Sequence, residues 1–214
     1  MKHNISITKT ATYHTLGDVS SAKTIWFVLH GYGYSAAHFI TKFEPILNED
    51  IAIIAPEGLS KFYLNGVGFD GKVGASWMTK DDRENEIKDY VNYLNQLYKV
   101  IISKNSCADL KINILGFSQG GATASRWIAN GQLKCNNFIL WCSVFPDDMN
   151  FETISNINTY FLYGDNDKYV TEDRVAKQRE LINNSGIGIK TTVFKGKHDV
   201  PEAVLVEQAL VNDW

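Results

Sequence analysis

Six short apolar runs recur along this chain, with stretches of helical periodicity between them: Thr24–Leu29, Ile51–Ala55, Ile112–Leu115, Phe138–Cys142, Tyr160–Tyr163 and Ile189–Phe194. None alternates cleanly between apolar and polar residues. A strand with one wet face alternates, so runs apolar at successive positions read as strands covered on both faces, the pattern of a parallel sheet. The clearest helical segment is Glu84–Ser103, where Ile87, Val91, Leu94, Tyr98 and Ile101 recur at steps of three and four. Thr171 to Asn183 opens with Thr-Glu-Asp, a plausible capped start, and Pro201 suits the first turn of a closing helix that runs toward Val211. Ile5 to His14 does alternate, which predicts an antiparallel hairpin at a sheet edge. Strands alternating with helices imply an α/β class with a mostly parallel central sheet and helices on both faces. The 214 residues contain no long Pro/Gly/Ser linker and no repeat, so one domain over 1–214 is expected.

Composition excludes several functions. Net charge is −3 with mixed signs throughout, and no basic stripe exists to neutralise a phosphate backbone, so nucleic acid is not an expected partner. No apolar run is long enough to span a bilayer, and Met1–Ser6 lacks the apolar core of a signal peptide. Cys107, Cys135 and Cys142 are odd in number and lack C-x-x-C spacing. That argues against a disulfide framework or a zinc site and for a reducing cytoplasm. Cys142, inside an apolar run, reads as a buried structural thiol.

One motif carries chemistry. Gly116-Phe117-Ser118-Gln119-Gly120 reads G-x-S-x-G, between the run ending at Leu115 and the small residues Gly121-Ala122-Thr123-Ala124-Ser125. That setting is strand, sharp turn, helix, in which the serine hydroxyl projects from a strained backbone as a nucleophile. Side chains two positions away on either side would collide, and glycines remove them. The following helix points its first amides at the same spot, which suits a developing oxyanion.

A serine nucleophile needs a base. Of five histidines, His3 and His14 fall in the expected hairpin and His38 in an early helix. His30 ends a strand and could serve the site or pack beneath a loop. His198 follows the last apolar run and precedes a helix, at the sheet edge where ligands bind, and is the candidate base. Its carboxylate partner should lie between Ser118 and His198 in chain order. Tyr163-Gly164-Asp165-Asn166-Asp167 offers two candidates at a strand end, while Asp147 and Asp148 lie in a loop that reads as solvated.

These strings together resemble the α/β-hydrolases of the phospholipase/carboxylesterase family, which includes the acyl-protein thioesterases. The resemblance runs through Leu29-His30-Gly31-Tyr32-Gly33, Ala55-Pro56-Glu57-Gly58, Ser76-Trp77, Gly116 to Ala122, Tyr163 to Asp167 and Lys197-His198. It implies an α/β-hydrolase fold with Ser118 as nucleophile, His198 as base and Asp167, the last residue of G-D-N-D, as acid. Asp165 is then a turn or supporting residue. It also implies an oxyanion hole from the backbone amides of Tyr32 and Gln119. Tyr163 stands where the family has histidine, Lys168-Tyr169-Val170-Thr171 replaces its x-V-V-P, Lys197 replaces the glycine before the base, and Tyr34-Ser35 stands where it has an acidic residue. These departures favour a divergent esterase branch.

The expected activity is hydrolysis of carboxylic esters or thioesters with short to medium acyl chains through an acyl-enzyme, with a small acyl substrate as partner and no metal or organic cofactor. Gly58 to Lys80, rich in glycine and aromatics, is the expected pocket wall, with Phe62, Phe69 and Trp77 as substrate-binding candidates. The stretch from Pro56 to Glu84 is short for a lid. Rival readings are a peptidase or dienelactone-type hydrolase on the same fold, and a non-catalytic binding protein on a hydrolase scaffold.

Overall fold

The structure is a computed structural model, and it describes residues 1–65 and 71–214. Its strands, in chain order, are β1 (Tyr13–Leu16), β2 (Thr24–Leu29), β3 (Ile51–Pro56), β4 (Ser60–Tyr63), β5 (Val73–Ser76), β6 (Lys111–Phe117), β7 (Asn137–Trp141), β8 (Asn158–Gly164) and β9 (Ile189–Phe194). Seven of them form one sheet ordered β1-β3-β2-β6-β7-β8-β9. β1 pairs antiparallel with β3, and the pairs from β3 across to β9 are parallel. β4 and β5 make a separate antiparallel pair.

Residues that follow one another in a strand go to opposite faces, and each face has its own core. Phe27, Ile114, Phe138 and Phe161 pack on one side with residues of α2 (Arg83–Ile102), α3 (Gln119–Asn130) and α4 (Glu172–Ser185), among them Leu94, Trp127 and Ile182. Trp26, Leu115 and Leu162 pack on the other with α1 (Ala36–Phe39), the 3-10 turn Ile40–Ile46 and α5 (Glu202–Val211), through Phe39, Phe43 and Leu205. This double coverage is why the runs do not alternate. Each such side chain, taken fully out of water, contributes about 1.5–3 kcal/mol.

Two expectations change. The buried stripe of α2 is Tyr90, Val91, Leu94, Leu97 and Ile101, with Ile87 and Tyr98 only partly covered. The helix is therefore rotated slightly from the face that periodicity alone selects. The hairpin expected from Ile5 to His14 does not form: the strand is Tyr13–Leu16, and it pairs with β3 instead. Ile5 and Ile7 are 88% and 79% exposed, so among the described residues their alternation meets no apolar surface that would stabilise a strand.

The sheet sets the site by levelling strand ends. Leu29 pairs with Gly116, Phe117 with Trp141, and Gly164 with Phe194. The loops after β2, β6, β8 and β9 therefore leave from one edge, the carboxyl edge where open α/β sheets bind ligands.

Candidate active site

Ser118 occupies the turn between β6 and α3 at φ 54°, ψ −120°. A non-glycine residue there costs on the order of 1–3 kcal/mol and persists only if its surroundings hold it. They do: the Ser118 amide donates to the Trp141 carbonyl at 3.0 Å, and the Ser143 hydroxyl donates to the Ser118 carbonyl at 2.6 Å. The glycines are required by contact. A Cβ on Gly116 would strike the Gly120 carbonyl, one on Gly120 would strike the Leu29 carbonyl, and one on Gly121 would strike the Ser143 hydroxyl.

His198 reaches this hydroxyl from the loop after β9. Its Nε2 lies 2.9 Å from Ser118 Oγ, and its Nδ1 lies 2.8 Å from Asp167 Oδ2. In the tautomer with Nδ1–H, the ring donates to Asp167 and accepts from Ser118. The imidazole lies between Phe117, with centroids 5.0 Å apart, and Tyr169, at 4.6 Å. The other Asp167 oxygen accepts from the amides of Tyr169 at 2.7 Å and Val170 at 3.0 Å. Burial by itself would raise the Asp167 pKa, but the Val170 amide, the His198 ring and the Tyr169 amide outweigh it and hold the carboxyl below its ordinary value.

Of the two carboxylates left open at the end of β8, Asp167 is the one that meets the imidazole. Asp165 is exposed and braces the histidine loop from outside: its Oδ1 accepts from the Gly196 amide at 2.9 Å. A Cβ on Gly164 would come within 2.5 Å of the Gly196 carbonyl, so glycine lets the two loops meet. Lys42, from the opposite flank, pairs with Asp199 at 2.7 Å, and the Trp141 indole donates to the Asp199 carbonyl at 2.9 Å. Asp148 is not simply solvated as expected: it makes a two-pronged pair with the buried Arg126 of α3, at 2.9 and 3.0 Å.

The amides of Tyr32 and Gln119 donate to no acceptor among the described residues. Gly31 brings the first of these loops against the serine, since a Cβ there would lie 3.1 Å from Ser118 Cβ. The loop is held on its far side by β5, where the Gly33 amide donates to Ala75 and the Ala75 amide to Tyr34. His30 packs beneath it. Its Nδ1 donates to the Gly31 carbonyl at 2.8 Å, and its Nε2 accepts from the Gly58 amide at 3.0 Å. Burial pushes its pKa down, against the opposing pull of the Gly31 carbonyl and Glu57, so the ring is a neutral strut.

A hydroxyl, an imidazole and a carboxylate in series beside two unspent amides can move a proton off oxygen and stabilise a new oxyanion. A family model described as serine hydrolase (FSH1) matches residues 20–210. The chain belongs to this serine hydrolase family. Among solved structures, esterase PE8 matches with a TM-score of 0.70 at 17% identity, over 96% of this chain and 99% of that one. Acyl-protein thioesterase 2 of Zea mays also matches at 0.70, with 16% identity over 95% and 99%. A phospholipase/carboxylesterase from Dyadobacter fermentans DSM 18053 matches at 0.66, with 19% identity over 97% and 100%. At these identities the likeness establishes the α/β-hydrolase fold. A search of curated proteins by sequence gives no match.

The expected substrate wall of this serine hydrolase needs correction. Trp77 is 1% exposed, with its indole donating to the His30 carbonyl at 2.8 Å and its ring packed on His30 and Tyr90. It supports the loop from below and offers no open face to a ligand. Phe62 is half-buried, 5.2 Å from the ring of Tyr32, which is 60% exposed. Phe69 lies outside the described residues. Tyr169, 63% exposed over the imidazole, was not singled out from sequence, because its neighbourhood depends on a loop with no local signal. The Gln119 side chain was missed as well: it accepts from the Trp77 amide at 3.1 Å and donates to the Met78 carbonyl at 2.7 Å, tying the β5 end to the start of α3. No helix among the described residues is long and apolar enough to cross a membrane.

Proposed function

We propose that this serine hydrolase cleaves carboxylic esters or thioesters of short to medium acyl chains through an acyl-enzyme on Ser118. The observation that carries the reading is the unbroken hydrogen-bond series from Ser118 Oγ through His198 to Asp167, with links of 2.9 and 2.8 Å. His198 Nε2 takes the hydroxyl proton as Oγ attacks the acyl carbonyl. Asp167 stabilises the resulting imidazolium and fixes its orientation. The tetrahedral oxyanion is received by the Tyr32 and Gln119 amides, which donate to no acceptor among the described residues. The imidazolium then protonates the leaving alcohol or thiol, and water, activated by the same ring, releases the acid. Tyr32, Phe62 and Tyr169 supply the apolar contacts to the acyl or leaving group. Residues 1–214 act as one domain, because both cores flank the same sheet.

The test is labelling by a fluorophosphonate, which reacts preferentially with activated serine, followed by peptide mapping. Modification at Ser118 is expected. Ser118→Ala should abolish labelling and lower ester turnover by roughly 10⁴- to 10⁶-fold while unfolding cooperatively like the parent. If Ser118→Ala retains a tenth of the parent turnover, the mechanism is wrong.

A further inference from the structure

Cys142 follows β7 directly, at φ 45°, and is 1% exposed. Its Sγ donates weakly to the Asp199 carbonyl at 3.5 Å. Ester hydrolysis has no use for a thiol here, yet its Sγ, an Asp167 oxygen and a His198 ring nitrogen all lie within 4.8 Å of one another. Burial first, and then the neighbouring Asp167 charge, push the thiol pKa up. The thiol is therefore held as SH and is inert as a nucleophile.

Thiolate, imidazole and carboxylate together form a donor set for borderline and soft divalent ions, while hard ions such as Mg²⁺ demand oxygen. Tetrahedral bond lengths imply donor separations of about 3.2–3.8 Å, so a gap as wide as 4.8 Å must close by about 1.0–1.6 Å. Rotation of the cysteine side chain spans that distance. Of these three side chains the imidazole is the most exposed, 17% accessible against 0% for Asp167.

We propose that Cys142, Asp167 and His198 form an inhibitory site for a thiophilic divalent cation, with Zn²⁺ and Cd²⁺ as its ligands. On binding, a metal–sulfur bond forms and the thiol proton leaves to solvent. The imidazole proton moves from Nδ1 to Nε2, the Nδ1 lone pair binds the ion, and an Asp167 oxygen exchanges its N–H contact for the metal. No electron is transferred. Nε2 then carries hydrogen and cannot accept the Ser118 proton, so hydrolysis stops. The inhibition, though not the binding, rests on the proposed function.

Cd²⁺ titration followed by the thiolate-to-cadmium charge-transfer band and, in parallel, by nitrophenyl acetate hydrolysis tests this. Band and inhibition should share a midpoint, and Mg²⁺ should produce neither. In Cys142→Ala and Cys142→Ser the band should vanish, and the inhibition midpoint, referred to each variant's own metal-free rate, should shift by more than about tenfold. The Cys107→Ser/Cys135→Ala protein leaves Cys142 as the sole thiol and should keep both signals, which decides the matter even if the Cys142 variants do not fold. A wild-type protein without the band, a band that survives in Cys142→Ala, or a double variant that loses it overturns the site. If the metal-free protein hydrolyses no ester, the functional reading fails, while the band still decides the cation site.

Discussion

At the residue scale, the two aspartates after β8 show how little separates a carboxylate that meets the imidazole from one that braces its loop. They are two positions apart, yet Asp167 is buried against the imidazole, whereas Asp165 is exposed and holds the Gly196 amide. Asp167→Asn should lower kcat by about 10³- to 10⁴-fold, because the amide favours the wrong imidazole tautomer. Asp165→Asn should cost about tenfold or less, through a looser loop, since one neutral hydrogen bond replaces a charge-assisted one. Steady-state rates of the two variants give the comparison, and losses of equal size would reverse the assignment. His30 makes a different prediction. Its folded pKa lies below the unfolded value of about 6.5, so below that pH the unfolded chain binds a proton that the folded chain refuses. Its contribution is complete above about pH 6.5 and is lost progressively as pH falls from there toward the folded pKa. Urea midpoints measured between pH 7.5 and 5.5 should therefore fall, and His30→Asn, less stable throughout, should show the flatter slope.

At the element scale, α3 has two jobs, and different residues do them. Its Gln119 amide, next to the serine, donates to no acceptor among the described residues, and the Gln119 side chain fastens the β5 end in place. Farther along, Arg126 is buried to 8% side-chain exposure and relies on Asp148 for its charge. Removing the carboxylate strands a buried cation, whereas removing the guanidinium leaves an aspartate that is already 48% exposed. Asp148→Ala should therefore destabilise more than Arg126→Met. The loss is about 2 kcal/mol, less than for a fully buried pair because water reaches Asp148. Denaturant unfolding of both variants checks the order, and a larger loss for Arg126→Met would mean that packing of its methylenes outweighs its charge.

At the scale of the whole molecule, the site is assembled from loops far apart in sequence: Ser118 and His198 are 80 residues apart, His198 and Asp167 are 31. Tyr32, Phe62 and Tyr169, the apolar contacts of the proposed function, lie on three different loops or strands, with Tyr32 and Tyr169 largely exposed. Such a rim covers a few methylenes at about 0.8 kcal/mol each and does not enclose a long chain. Rates on nitrophenyl esters should peak at short to medium acyl length and should not jump when substrate passes its solubility limit. Phe62→Ala should reduce the preference for hexanoate over acetate more than it reduces acetate hydrolysis. Greatest activity on emulsified long-chain esters would contradict this picture of the rim.

The sequence by itself determined the features whose cause is local. Strands apolar on both faces, the helical period of α2, and the tight glycine-flanked turn at Ser118 follow from side-chain pattern and backbone sterics within a few residues. The candidate nucleophile, the candidate base and two acid candidates were legible because the sheet's carboxyl edge collects strand ends, and each of those residues follows a strand. What needed the tertiary structure was everything decided by which surface meets which. Asp167 rather than Asp165 faces His198, and Trp77 is a buried prop although it reads as a pocket aromatic. Asp148 serves a buried arginine, Ile5 and Ile7 stay exposed, and Cys142 lies beside the imidazole. Those outcomes are set by burial and by the electrostatic cost of leaving a charge or a hydrogen-bonding group unpaired. Both are properties of neighbours tens of residues away along the chain.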